Sequence, residues 1–311
     1  MSGHAGCDRT VPHSRGLPVS IVIATTQPWP EVRACLDSLH NQAQAVGAEV
    51  ILADGCGQGL TEEATSSYPE VIWLKVPGAS VFYLRVLAMS RARGEVIAVT
   101  EDHCRVKPDW CDRVIAAHKQ YPEAAAIGGA VENGATERLV DWASFFIVNG
   151  PSMPPIRKGK RSRIALQANI SYKRRIVPPR IPKHGRMEWM FNQALRAQGE
   201  TLVADDRIVV SHVQSLGFRG TCRIHFDDGR SIAGFRLQQI TALERGIRLG
   251  ACFVMPPLLL LRTLIPVLQK RRVLGRVLAS LPLLALLLCC RATGAFFGFL
   301  AGPGNSPQRI R

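Results

Sequence analysis

The stretch that decides the fold is Glu95-Val96-Ile97-Ala98-Val99-Thr100-Glu101-Asp102-His103. A β-prone run ends in two carboxylates and an imidazole, and a helical pattern from Lys107 to Tyr121 follows. An apolar strand whose charge is gathered at its end places that charge at the carboxyl edge of a sheet. In open α/β sheets this edge is where ligands bind. Acidic oxygens and an imidazole there can hold a divalent cation, and the cation can in turn hold phosphates.

Working outward, the same construction recurs. Val19-Ser20-Ile21-Val22-Ile23-Ala24-Thr25 is nearly all apolar, as in a strand buried on both faces. Val32, Cys35, Leu36 and Leu39 follow at helical spacing, with Pro30 suited to the first turn. Glu49 to Ala53 reads as a second strand and runs into Asp54 and a glycine-rich turn. Val71 to Val76 is a third strand, and Val81 to Arg93 is a helix with Gly94 as its stop. Beyond the opening stretch come a strand at Ala124 to Val131, a helix at Glu137 to Val148 and a strand at Leu166 to Tyr172. A helix at Arg186 to Gln198 and two short β runs, Thr201 to Ala204 and Arg207 to His212, complete the series. Strands alternating with helices predict an α/β domain with a mixed, mostly parallel sheet flanked by helices. Asn149 to Arg163, rich in Pro, Gly and basic residues, reads as a mobile loop. It is suited to closing over a diphosphate, to touching anionic lipid, or to lying solvated.

The 311 residues carry a formal charge of +15, which suits nucleic acid, anionic lipid, a phosphorylated substrate or simply a solvated basic surface, and does not choose among them. Only 6% of residues are aromatic and no nucleic-acid module is present, so no nucleic-acid partner is expected. Nine cysteines without a CxxC pair or zinc-ligand spacing read as reduced thiols in a cytosolic setting. Residues 1–16 have no apolar run and read as a disordered tail.

After His212 the character changes. Ser231 to Leu249 is helical and basic. Two apolar stretches follow, Ala251 to Leu268 and Val277 to Gly302, with Lys270, Arg271, Arg272 and Arg276 between them. Prolines and Arg262 interrupt the first, and Arg291 breaks the second. If both crossed a bilayer, the basic turn would lie outside, against the positive-inside tendency. The expectation is a pair of interfacial helices on the cytoplasmic face of the cell membrane. A single crossing by the second stretch and a hairpin packed on a soluble core are the alternatives. The chain then divides into the tail 1–16, a domain 17–230 and a membrane-associated helical region 231–311.

Three carboxylate positions align with one chemical task. Asp54, at a strand end before glycines, is placed to accept from a base or ribose donor, or simply to start a turn. Glu101-Asp102-His103 is the phosphate or metal edge, or a solvated acidic turn. Glu188, at a helix start, is favoured there by the dipole, and is also placed to act as a general base. His212 ends the last β run as a further metal or phosphate contact. No GxxxxGK[ST] occurs, which excludes a P-loop. A nucleotidyltransferase would want a Gly-rich basic signature after the first strand, where this chain has Thr25-Thr26-Gln27-Pro28. A basic membrane- or nucleic-acid-binding scaffold is the non-enzymatic alternative.

The order of these parts resembles the family 2 glycosyltransferases with the GT-A fold. Val19 to Thr25 is similar to that family's first strand, and Val50-Ile51-Leu52-Ala53-Asp54-Gly55 to its second strand and base-binding aspartate. Ala92-Arg93-Gly94-Glu95 with Glu101-Asp102-His103 resembles its Ala-x-Gly-Glu strand and DxD-type motif. Asn169 to Arg174, Met187-Glu188 and Val210-Ser211-His212 resemble its later segments. The resemblance implies an inverting transfer of a sugar from a nucleotide-sugar donor to a hydroxyl acceptor, lipid-linked or saccharide. It implies nucleotide contacts from Thr25, Thr26, Asp54, Glu101 and Asp102, and a base at Glu188. A divalent metal (Mn2+ or Mg2+) would be held by Asp102, His103 and His212. The family's triplet has carboxylates first and third; this one keeps a carboxylate at Glu101 but has His103 third, and imidazole suits manganese better than magnesium.

Overall fold

A computed structural model describes residues 16–29, 31–57, 62–156, 158–160, 168–177, 185, 188–237 and 239–310. The N-terminal tail (apart from Gly16), Pro30, Met187 and the loop arginines 157, 161 and 163 lie outside the described residues. The first half runs β1 (Val19–Thr25), α1 (Arg33–Ala45), β2 (Glu49–Asp54), α2 (Glu62–Ser67), β3 (Ile72–Lys75), α3 (Val81–Arg91) and β4 (Val96–Glu101). Then come β5 (Cys104–Val106), α4 (Trp110–Gln120), β6 (Ala124–Asn133), α5 (Leu139–Asn149), β7 (Gly159–Lys160), β8 (Asn169–Lys173), α6 (Glu188–Ala197) and β9 (Thr201–His212). Four helices close the chain: α7 (Gly217–Leu237), α8 (Ala242–Ala251), α9 (Met255–Gln269) and α10 (Leu274–Ala301).

The strands form one sheet in the order β3-β2-β1-β4-β8-β6-β9-β5, with β7 on β9. The pairs β3–β2, β2–β1, β1–β4 and β6–β9 are parallel, and β8, β5 and β7 pair antiparallel with their neighbours. The mixed, mostly parallel α/β sheet flanked by helices is thus as expected. Every residue of β1 and β2 is buried, the mark of strands covered on both faces. Asn169 joins β8 to its neighbours: its amide donates to the carbonyls of Ala130 and Ile208 and accepts from the Trp110 indole.

Four details differ from the sequence reading. The two β runs at 201–204 and 207–212 are one strand, β9, kept continuous by register shifts against β6. Gly94 does not stop α3, which ends at Arg91 with Ala92 extended. A Cβ on Gly94 would lie 2.5 Å from the Ser20 nitrogen, so its role is close passage beside β1. The helix expected at 231–249 is the end of α7 and most of α8, and α7 runs unbroken through the division at 230/231. Arg291 does not break the last apolar stretch: α10 continues through it, and its guanidinium pairs with Asp228 of α7 at 2.5 Å.

Helices α7 and α10 lie against one another with almost no space between backbones. A Cβ on Gly294 would sit 2.0 Å from the Phe226 carbonyl oxygen, and one on Gly298 2.5 Å from that of Arg230. Leu284 and Leu287 of α10 belong to the same buried core as the sheet. Each buried leucine contributes about 1.5–3 kcal/mol relative to exposure. Gly294→Ala is expected to push α10 off α7 and cost roughly 1–3 kcal/mol, read as a fall in thermal midpoint. An unchanged midpoint would mean that the two helices are not in this contact.

Candidate active site

Because β1, β2 and β4 are parallel and adjacent, their carboxyl ends share one edge. Thr25 stands opposite Asp54, and Ala24 opposite Glu101. A shallow cleft opens there, lined by Thr25, Gln27, Trp29, Leu52, Asp54 and Trp73, among others. Asp54 is buried, and its Oδ1 accepts the Cys56 N–H at 2.7 Å. Burial raises its carboxyl pKa, with the Cys56 N–H and Lys75 opposing. Two indoles and a carboxylate suit a flat ring that carries N–H donors. Sequence reading missed Trp29 and Trp73, which come from a loop and from the edge strand β3. The hydroxyl of Thr26 is buried without a hydrogen-bond partner among the described residues.

From this cleft a run of polar contacts leads along the edge. Thr25 donates to Asp102 Oδ2 at 2.7 Å, and Asp102 Oδ1 faces His103 Nδ1 at 2.7 Å. That fixes the imidazole with Nε2 turned away. The pairing of β5 with β9, which sets Cys104 opposite His212, brings in the second imidazole. His103 Nε2 lies 2.9 Å from His212 Nε2 and 3.3 Å from Glu101 Oε2, and His212 Nε2 lies 3.6 Å from the same oxygen. Burial alone would lower His103, but Asp102 and Glu101 raise it to about 10. His212 is driven down to about 3 by burial and by the His103 charge. Burial would raise Glu101, yet His103, Arg85 and His212 hold it at about 2. His103 therefore donates to a neutral His212, and one proton sits among three ligand atoms.

These three atoms fit a divalent cation. Ligands about 2.1 Å from one metal in tetrahedral or octahedral geometry lie roughly 3.0–3.4 Å apart, close to the separations here. Both oxygens of Asp102 are engaged, one by the Thr25 hydroxyl and one by His103 Nδ1. Glu101 Oε2 is the third of these atoms. Cys104 also brings its sulfur within 4.8 Å of ligand atoms of Glu101 and His103, but burial raises its thiol well above the ordinary range. Arg105 is exposed on β5.

The run ends at Glu188. Its carboxylate is buried and ion-paired with Arg85 of α3, whose other guanidinium nitrogen lies 3.4 Å from Glu101 Oε1. The second oxygen of Glu188, Oε2, has no hydrogen-bond partner among the described residues. One oxygen is clamped by Arg85, and the other is buried and unpartnered among the described residues. Arg85 was missed by sequence reading. Its only local signal is a charge inside the apolar helical run Val81 to Met89.

The family model described as Glycosyl transferase family 2 matches residues 20–181, just over half of the chain. No curated protein matches the sequence. Among solved structures the chain is similar to the mannosyltransferase PcManGT from Pyrobaculum calidifontis, solved in complex with GDP-Man and Mn2+. The two are 13% identical with a TM-score of 0.53, over 92% of this chain and 88% of that one. At that identity the likeness is one of fold.

Proposed function

The chain belongs to glycosyl transferase family 2 and is a glycosyltransferase with the GT-A fold, and we propose that it performs an inverting transfer with Glu188 as general base. The donor is a nucleotide sugar whose base enters the cleft at Asp54, Thr25 and Thr26. The observation that carries this reading is the unbroken run of buried and half-buried polar contacts from Thr25 at the cleft to Glu188. Glu101, His103 and His212 would hold a divalent metal, with Asp102 orienting His103. When bound, that ion neutralises charge on the donor diphosphate, and the PcManGT complex with Mn2+ favours manganese as the ion.

The chain's own residues supply the rest. Glu188 Oε2 takes the proton of the acceptor hydroxyl as its oxygen bonds to the sugar carbon. The bond from that carbon to the diphosphate breaks in the same displacement, which inverts the centre. Arg85 holds Glu188 in place. The acceptor we assign is a lipid-linked or polysaccharide hydroxyl, met at the cytoplasmic face of the cell membrane. The domain 17–230 carries the chemistry, with residues 231–311 placing it beside the bilayer.

Nucleotide binding tests this reading. UDP or GDP with Mn2+ is expected to raise the thermal midpoint of the full chain, by about 2.7 kcal/mol of stabilisation at a hundredfold excess over Kd. Asp54→Ala is expected to lose that shift. Absence of a shift with any nucleoside diphosphate, with or without Mn2+, would count against the whole assignment.

A further inference from the structure

Two features of the C-terminal helices are left unused by the transfer chemistry. The first is an apolar face. Val254, Leu258, Leu261, Ile265 and Leu268 recur every three or four residues and are all exposed, so α9 carries a bare apolar stripe. The amphipathic α8 buries none of its residues: Leu243 is 75% exposed and Ile247 63%. The two helices meet at a bend of 72°. Before residue 243, exposed large apolar side chains among the described residues are confined to Leu139, Val148 and Phe218.

The second is a group of arginines. The Arg236 guanidinium carbon, at the end of α7, lies 4.4 Å from the centre of the Trp189 ring, next in sequence to Glu188. Burial, then the charges of Arg248 on α8 and Arg262 on α9, hold Arg236 below its ordinary pKa, so both cations lie within electrostatic reach of it. Among the described residues none of them forms an ion pair with a carboxylate. Glu244, one turn from Arg248, is bound to its Thr241 cap.

Helix α10 sets the attitude of this face. It is long and apolar enough to cross a bilayer, at about 42 Å for its 28 residues. Yet both its ends are tied to the domain beneath. Before it, Lys270 donates to the carbonyls of Pro151, Met153 and Pro155, and Arg272 to that of Pro154. After it, Arg230 donates to the Gly302 carbonyl and Ser306 to Asp227, and Ile310 packs on the main core. A helix that returns to the same domain at both ends lies along it.

We propose that α8 and α9 form an in-plane docking face for an anionic bilayer, with the apolar stripe entering the interface, Arg236 receiving a lipid phosphate beside Trp189, and Arg248 and Arg262 adding the charge that attracts anionic headgroups. Uncompensated cations around exposed leucines are complementary to anionic headgroups over acyl chains. The siting of that phosphate next to the acceptor rests on the assignment of Glu188. Flotation needs no donor and no turnover, so failure of the base assignment leaves the docking result standing.

The test is flotation of the full chain with phosphatidylcholine vesicles, with and without phosphatidylglycerol. Wild type is expected to float with the anionic vesicles and much less with phosphatidylcholine alone. The variant R236Q/R248Q/R262Q is expected to lose roughly 100-fold in affinity for the anionic vesicles. Should the triple variant fail to fold, exposed Arg262→Gln alone is expected to weaken binding about fivefold. L243E/I247E is expected to abolish flotation with an unchanged thermal midpoint, since both side chains are solvent-facing. Equal flotation on both vesicle types, or wild-type binding by the arginine variants, overturns the phosphate assignment. Wild-type flotation of L243E/I247E overturns the stripe. A dimer in solution that floats with neither vesicle type assigns the face to a second copy and overturns the proposal.

Discussion

Glu188→Gln is expected to leave nucleotide-induced stabilisation in place and to lower sugar transfer by roughly 10²–10⁴-fold, the usual worth of a positioned general base. The amide keeps the size of the carboxylate but not its proton affinity. Arg85 keeps Glu101 at 3.4 Å as a counter-charge, so the substitution does not strand a buried cation. Single-turnover transfer measured beside the thermal shift with nucleotide separates the two outcomes. Wild-type turnover in the variant removes Glu188 from the reaction. Loss of nucleotide binding would make it a structural partner of Arg85.

His212→Ala is expected to remove the extra stabilisation that Mn2+ adds to nucleotide binding. Transfer should fall by more than the roughly 10–100-fold usual for a residue that only orients a metal ligand. The reason is the geometry: with His212 gone, His103 and Glu101 are left as two ligand atoms 3.3 Å apart. In the metal-free protein a proton lies between the imidazoles, with His103 raised to about 10. A cation bound there must displace it, so Mn2+ binding is expected to release a proton and to weaken as pH falls. Titration calorimetry in two buffers of different ionisation heat reads that proton. An undiminished Mn2+ response in His212→Ala would move the metal elsewhere.

Much of the fold was legible because its signals are local. The apolar run at 19–25 reads as a doubly buried strand because each residue's neighbours along the chain already show that neither face is polar. Asp54 and Glu101 were found for the same reason: each is the polar residue that ends an apolar strand, and parallel pairing puts both at one edge. Local signals were less reliable where charge interrupts a strand. The acidic pair Asp205-Asp206 split β9 in two on paper, but Arg207 neutralises Asp205 and the backbone continues.

The division of labour within the site was not legible, since it depends on partners far along the chain. Sequence set Glu101, Asp102 and His103 side by side as equals. It took Thr25, 77 residues away, to engage the second oxygen of Asp102, and the β5–β9 pairing to bring His212 against His103. Arg85 was invisible as a functional residue until folding placed it between Glu101 and Glu188. Arg291 looked like an end to the last apolar stretch until Asp228 met it. By itself, then, the sequence determined the strand–helix alternation, the edge at which charge collects and the family. These follow from periodicity and from short motifs, which are properties of neighbouring residues. Which carboxylate meets the two imidazoles, which one is clamped by Arg85, and how α10 packs on α7 were decided by tertiary structure alone. Each turns on a buried charge, and a buried charge takes its role from whichever partner the fold brings within a few ångströms.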